Sequence, residues 1–405
     1  MRRHGDHCFP AYEIMTEPAG SRGKLTPPRG YSSDDVEARR NWLAQRTGRP
    51  VPPFALDDPQ DLQGLCENQI GTIGIPLSVA GPLRIQGQFA QGEFYIPLCT
   101  LEGTLALSMT RGLLATYMSG GIQTRHVRQE LSRCPIFDFD DHADAHRFLD
   151  WVAGHESAIR ATAETTTRHG KLLRIERHPI HNRVILDFVY DTAEAAGQNM
   201  VTLATEAACR FIMETFNAER PFHYLIESNL SADKNPAQRS LLHGRGHHVI
   251  ASCRIRGSVL KRVLRTTAAE MAACFTDLHI GSQLAGVLGL NLHLANTLAA
   301  IYLATGQDIA CVAENAVGMC HGEQDGDDLV GSLSLPSLTV GTVGGATRLN
   351  QQRANLELLG CQGPDSSKKL AELICAAAFG LELSLAGAIV SHEFADAHAM
   401  FGRQG

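Results

Sequence analysis

Short runs of β-branched and aromatic residues, RVILDFVY at 183–190 and FHYLIES at 222–228, read as strands. They alternate with stretches at 141–162 and 199–216 whose apolar residues recur at helical spacing. Interleaving of this kind predicts a small α+β domain of ferredoxin-like type over 136–226. Upstream, residues 1–32 are rich in Gly, Pro and charge, which predicts a loosely attached segment. SSDDVEARRNWLAQRTG follows, with a Ser/Asp start, early acids and a Gly stop, as a short helix requires. RPVPPFALDDP at 49–59 reads as a linker, and ENQIGTIGIPLSVAGP at 67–82 as tight, turn-rich backbone. A helix is predicted over 100–118, with Thr100 as its cap, Glu102 in its first turn and Gly120–Gly121 as its stop. Beyond 226, HHVIASCRI (247–255) reads as a strand and 258–275 as a helix. Two further helices, at about 280–305 and 368–392, are small and apolar on nearly every face, as befits the centre of a large domain. The sequence contains no internal repeat.

At 405 residues the chain is too long for one ordinary core, so two or three domains are expected. A net charge of −7, with no basic stripe, points away from a nucleic-acid partner. The 11 Cys contain no CxxC pair, which argues against a zinc module or a disulfide scaffold. Reduced thiols in the cytoplasm are the expectation, and no metal site is expected. The N-terminus starts basic but lacks an apolar secretory core. The most apolar stretch, 373–390, contains Glu382 and many small residues, and reads as a buried core helix rather than a membrane span.

Among residues suited to chemistry, GTVGGAT at 341–347 lies outside any strand–helix unit and reads as a turn rather than a dinucleotide fingerprint. The helix beginning at Gly197 offers free backbone N–H groups that suit a phosphate, although taken alone an ordinary helix start is the favoured reading. Glu102, Lys234, Asp308 and His398 are ionisable groups in apolar neighbourhoods. Singly, each reads as a cap, a turn residue or a solvated side chain. Six ordered motifs change that: CENQIGTIGIPLSVAGPL, TLEGTLALSMTRG, ADKNPAQ, GLNLHLANTLAAIYLATGQD, LPSLTVGTVGGATRLNQQ and ELSLAGAIVSHEFADAH. In this order and spacing they resemble the 3-hydroxy-3-methylglutaryl-CoA (HMG-CoA) reductase family, in its NADPH-using, eukaryote-like class, from about Arg39 to Arg403.

The resemblance implies reduction of an acyl-CoA thioester to a primary alcohol by two hydrides from NADPH. Lys234 would stabilise the carbonyl oxyanion, Asp308 would set its charge state, Glu102 would supply a proton to the aldehyde, and His398 would protonate the CoA thiolate. Thr167 and Arg168 would meet the cofactor's ribose phosphate, Glu194, Gly197, Gln198 and Asn199 its body, and Gly344 and Gly345 its nicotinamide side. Ser108, Arg111 and Arg265 match CoA-contacting positions. Arg133, Asp233, His293 and Asn296 match positions around the acyl group. The implied architecture is a small N-terminal helical part (1–60) and a large domain round a long central helix (61–135 and 227–405). The ferredoxin-like domain is inserted between the two halves and binds NADPH. Active sites would lie at a homodimer interface.

Three positions depart from the family pattern. Asn235 and Asp277 stand where the family has lysines near the acyl group, and Glu227 stands where it has a serine. An ion pair at about 4 Å is worth roughly 4 kcal/mol at an effective dielectric near 20, so exchanging cations for anions predicts a pocket hostile to the HMG carboxylate. The expectations are therefore HMG-CoA reduction, reduction of a thioester lacking that carboxylate, or a catalytically silent homologue. Retention of all four matched catalytic residues argues against the last.

Overall fold

A capping box opens the first helix, α1 (Ser33–Thr47): the Ser32 hydroxyl accepts the Asp35 N–H, and the Asp35 carboxylate accepts the Ser32 N–H. Gly48 closes it in the left-handed conformation, as its sequence requires. The computed structural model of the chain describes residues 26–52 and 58–392. It divides into one unit ending at Ile75 and a second beginning at Pro76. In the first unit Arg39, 1% exposed, donates to the carbonyls of Pro28, Gly30 and Gln69 and so ties α1 to the chain on both sides. The expectations for residues 1–25 and for His398 lie outside the described residues.

The second unit runs β1 (Leu77–Gln86), β2 (Gln91–Cys99), α2 (Leu105–Met118) and β3 (Ile122–Arg133). It continues with β4 (Ile136–Phe139), α3 (His142–Glu164), β5 (Lys171–Ile180), β6 (Arg183–Asp191), α4 (Gln198–Thr215) and β7 (Phe222–Leu225). The remainder is α5 (Gln238–Leu242), β8 (Gly246–Ile255), α6 (Gly257–Val259), α7 (Ala268–Ala285), α8 (Leu294–Thr305), α9 (Val312–Asn315), β9 (Met319–Asp325), β10 (Asp328–Leu338), α10 (Asn350–Leu358) and α11 (Ser366–Val390). The fold is mixed α and β.

One continuous sheet has the order β7-β4-β6-β3-β8-β10-β9, with β5 on the free edge of β6 and β1–β2 joined to β3. Around β4 to β7 the neighbours run β7-β4-β6-β5, every pair antiparallel. Two hydrophobic cores result. One, built from residues 131–226, packs α3 and α4 on this part of the sheet through Phe137, Phe148, Val201 and Ile212. The other draws on 80–122 and 249–390 and surrounds α11.

In α11 every residue from Leu370 to Ala388 is buried. It is the one helix among the described residues long and apolar enough to cross a membrane, and 89% of its most apolar window is buried within the protein. The core-helix reading of 373–390 therefore stands. Gly112 of α2 and Gly380 of α11 let the two backbones touch: a Cβ on Gly112 would lie 1.8 Å from the Gly380 carbonyl oxygen.

Three predicted helices differ from the structure. The helix expected from 100 begins at Leu105, because Thr104 is left-handed (φ 73°) and the Thr100 hydroxyl accepts the Glu102 N–H in a turn before the helix. Glu102 therefore lies outside the first helical turn. The stretch 258–275 breaks at Arg265, left-handed at φ 56°, and α7 starts afresh from a Thr267–Glu270 capping box. The apolar run 280–305 is two helices, because Gly286 ends α7 in the left-handed conformation and an irregular loop follows to His293.

Candidate functional site

The loop between β7 and α5 presents Asp233 and Lys234. Lys234 has φ 59°, a conformation that costs a residue with a Cβ unless neighbours hold it. Two neighbours do. Its amide donates to Glu314 Oε2 at 2.5 Å, and its ammonium lies 2.9 Å from Asp308 Oδ2. The hydrogen bond to Asp308 is the main reason that the Lys234 pKa lies above the ordinary lysine value, with burial opposing it. The side chains of Lys234 and Asp308 keep 47% and 40% of their surface exposed, so the ammonium is not desolvated within one chain.

Beneath this pair lies a chain of ions. Asp233 meets Arg133 at 3.3 Å and Arg245 at 3.1 Å. Burial pushes the Asp233 carboxyl up, but the two guanidiniums outweigh it and hold it below the usual carboxylate range. Arg245, 1% exposed, also contacts the fully buried Glu314 at 3.1 Å and donates to Gln198 Oε1 at 2.8 Å and the Ser132 carbonyl at 2.8 Å. Burial raises the Glu314 pKa, while Arg245, the Thr339 hydroxyl (2.5 Å) and the Lys234 amide oppose the rise. Sequence reasoning missed Arg245 and Glu314. The only local signal was an Arg between two glycines before a strand and an acid six residues beyond Asp308.

Glu227 is not a bare anion. It pairs with Arg133 at 2.8 Å and accepts the Asn229 N–H and the Ser231 hydroxyl. Asn235 folds back on its own loop, donating to the Asp233 carbonyl at 2.8 Å. Asp277 sits on an exposed position of α7. The negative charge counted from sequence is thus partly neutralised.

The cofactor set converges from three segments. Gly197 (φ 86°) starts α4 without a side-chain cap, which leaves backbone N–H groups free for an anion. Thr167 accepts the Gly170 N–H and touches Met200 Sδ at 3.1 Å, pinning the turn that carries the exposed Arg168 to the first turn of α4. Asn199 is exposed beside Gln198, whose Nε2 reaches Cys311 Sγ at 3.2 Å. The 341–345 strip lies alongside through the Ala195–Val343 bridge and the Thr342 N–H to Glu194 carbonyl bond. Exposed Gly344 and Gly345 follow, and Gly344 lines a cavity of about 370 Å³ together with Thr342, Arg348, Arg353 and Ser366.

Glu194 corrects an expectation. Its carboxylate accepts the N–H groups of Asp365 and Ser367, both at 2.7 Å, and the Ser366 hydroxyl at 3.1 Å. It therefore caps α11, where the free N–H groups and helix dipole favour an anion, and its carboxylate is committed to that helix start.

Of the remaining predicted residues, Ser108 bonds Ser384 at 3.0 Å and Arg111 holds the Ser384 hydroxyl and carbonyl, so both join α2 to α11. Arg265 is exposed at the left-handed break before α7. The His293 N–H donates to Glu382 at 2.7 Å, and the His293 ring lies 3.5 Å from the Asn296 amide. The structure brings Lys234, Asp308, Asp233 and Arg133 together. No hydrogen bond or ion pair among the described residues joins Glu102 to Lys234 or Asp308.

Comparison with known proteins agrees over the length of the chain. The family profile described as Hydroxymethylglutaryl-coenzyme A reductase matches residues 35–403. The 3-hydroxy-3-methylglutaryl-coenzyme A reductase of Aeropyrum pernix is 40% identical over 394 residues, 95% of this chain and 93% of that protein. That of Methanocaldococcus jannaschii is 38% identical over 375 residues, covering 91% and 93%. Among solved structures, a class II enzyme from Streptococcus pneumoniae bound to NADPH is similar in fold, with TM-score 0.66 at 19% identity, covering 88% of this chain and 95% of that one. The chain belongs to the hydroxymethylglutaryl-coenzyme A reductase family.

Proposed function

We propose that this protein reduces HMG-CoA to mevalonate with two molecules of NADPH, releasing CoA. The observation that carries the reading is the Lys234–Asp308 pair, 2.9 Å apart on a half-open surface and joined through Arg245 and Gln198 to the uncapped start of α4. When bound, NADPH supplies the hydride in each of the two reductions. Arg168, Thr167, the free N–H groups at the start of α4, and Gly344 and Gly345 fit it: a cation and unpaired donors for phosphate, and glycine backbone for close approach. Glu194 is left out of this set because its carboxylate is engaged.

On this reading the Lys234 ammonium donates to the thioester carbonyl oxygen and holds the charge that develops there. His398 gives a proton to the departing thiolate, and Glu102 gives one to the aldehyde oxygen in the second reduction. Segment 136–226 is the inserted ferredoxin-like cofactor domain, and 61–135 with 227–405 form the substrate domain. The strand order β7-β4-β6-β5 and the two separate cores support this division. A homodimer completes the site. In support, Leu101 and Leu107, on either side of Glu102, are 82% and 61% exposed in the single chain, and apolar surface of this kind suits an interface.

Glu227 is engaged by Arg133, so less repulsion meets the HMG carboxylate than its sequence position implied. That favours HMG-CoA over an uncharged thioester. The test is NADPH oxidation followed at 340 nm with HMG-CoA, butyryl-CoA and acetoacetyl-CoA in parallel. Turnover of HMG-CoA is expected, and turnover of only an uncharged thioester would overturn the substrate. Arg168→Ala is expected to weaken NADPH binding about tenfold, the loss of one charge-assisted contact; unchanged affinity would sink the phosphate assignment.

A further inference from the structure

Lys234 is gripped twice by one short segment. Asp308 and Glu314 stand six positions apart, on the turn and helix that follow α8. The first holds the Lys234 side chain and the second its main chain. Glu314 is wholly buried, and its carboxylate is fixed by Arg245 Nε at 3.1 and 3.2 Å and by the Thr339 hydroxyl at 2.5 Å. Arg245 in turn holds Asp233, the residue before Lys234. A buried carboxylate is costly unless its bonds are satisfied, and one of these bonds goes to the amide of a lysine in a left-handed conformation. We propose that Glu314 is a positioning residue: by holding the Lys234 amide, it sets the reach of the ammonium to Asp308 and to the substrate oxygen. The inference rests on the functional reading given above, and it adds a residue that never touches the substrate.

The titratable groups around the Lys234 ammonium are Asp308, Cys311 and Asp233, and those around Glu314 are Arg245, Asp233, Cys311 and Tyr302. A loosened amide lets the ammonium drift from Asp308, so its titration midpoint falls towards that of a free lysine. Two variants separate charge from grip. Glu314→Gln removes a charge as well as the arrangement around Arg245. Thr339→Val removes the hydroxyl bond to Glu314, together with those to the Arg245 carbonyl and the Asn315 amide, and changes no charge.

The experiment follows Lys234 by NMR in protein carrying [13Cε]lysine, which is practical because the chain has few lysines, with the signal assigned from Lys234→Arg; kcat and the thermal melt are measured alongside. Both variants are expected to lower the Lys234 midpoint, Glu314→Gln the more. With Glu314→Gln kcat is expected to fall on the order of 10- to 100-fold, as misplacement of a reacting group does, while the KM for NADPH stays near that of the wild type. A wild-type midpoint and kcat in a folded Glu314→Gln would overturn the proposal. Should that variant fail to fold, an unchanged midpoint in a cooperatively melting Thr339→Val would do the same. The NMR midpoint does not depend on turnover. A wild type inactive on HMG-CoA therefore counts against the functional reading, while the titration still decides the role of Glu314.

Discussion

An ammonium can hold a developing oxyanion only while it is protonated, so the partner of Lys234 matters as much as Lys234 itself. Asp308 favours the charged form through its hydrogen bond at 2.9 Å. A lysine pKa raised in this way keeps the ammonium charged further into alkaline pH, and activity that needs it is lost only as pH rises through the raised value. Asp308→Asn removes that support. The alkaline limb of the kcat–pH profile is expected to move to lower pH, with a loss of rate at every pH. A profile that falls in height without moving would show that Asp308 acts otherwise. At this scale the pairing was legible: Lys234 and Asp308 were both singled out from the sequence, and the fold sets them 2.9 Å apart. Glu102 was singled out too; it lies in a turn before α2, because Thr104 delays the helix.

Among the elements, α11 organises the larger core, and three carboxylates serve it. Glu194 caps its start, while Glu372 and Glu382, both buried within it, accept backbone N–H groups from residues 88–90 and 292–293. Glu194→Ala leaves the N–H groups of Asp365 and Ser367 without their partner. A loss of about 1–2 kcal/mol in unfolding free energy is expected, the usual range for a helix cap, with NADPH affinity unchanged. The reverse result, full stability with weakened NADPH binding, would return Glu194 to the cofactor site. Helix ends were only partly legible. Ser32, Gly48 and Gly197 announced theirs locally, whereas the left-handed Thr104 and Arg265 have no local signature, since residues with a Cβ adopt that conformation only when tertiary contacts impose it.

For the whole molecule, pH acts on stability through buried groups of opposite sign. Burial raises the Glu382 pKa to about 7, with the His293 and Leu292 N–H groups opposing. The folded state therefore binds this proton more tightly than the unfolded chain, and stability present below about pH 4.5 is lost as pH rises through 7. Burial also lowers His126 to about 4 and His247 to about 3, the two rings lying 3.0 Å apart. Their contribution is present above the ordinary histidine pKa and is lost as pH falls through these values. Glu382→Gln isolates the first effect: the difference in urea-unfolding free energy between wild type and variant is expected to change by about 3 kcal/mol between pH 4.5 and 7.5. A difference that does not vary with pH would mean that Glu382 stays ionised throughout.

The sequence by itself determined the family, the apolar character that buries α11, and the alternation of strands and helices at 141–162, 183–190, 199–216 and 222–228. These depend on side-chain chemistry and on periodicities spanning a few residues. Only the tertiary structure decided that Glu194 is a helix cap, that Glu227 is spent on Arg133, and that Arg245 and Glu314 underlie Lys234. Each of those contacts joins residues 69 to 173 positions apart. No local pattern encodes such a meeting: it follows from the packing of the sheet and α11, which brings buried charges within reach of the partners they require.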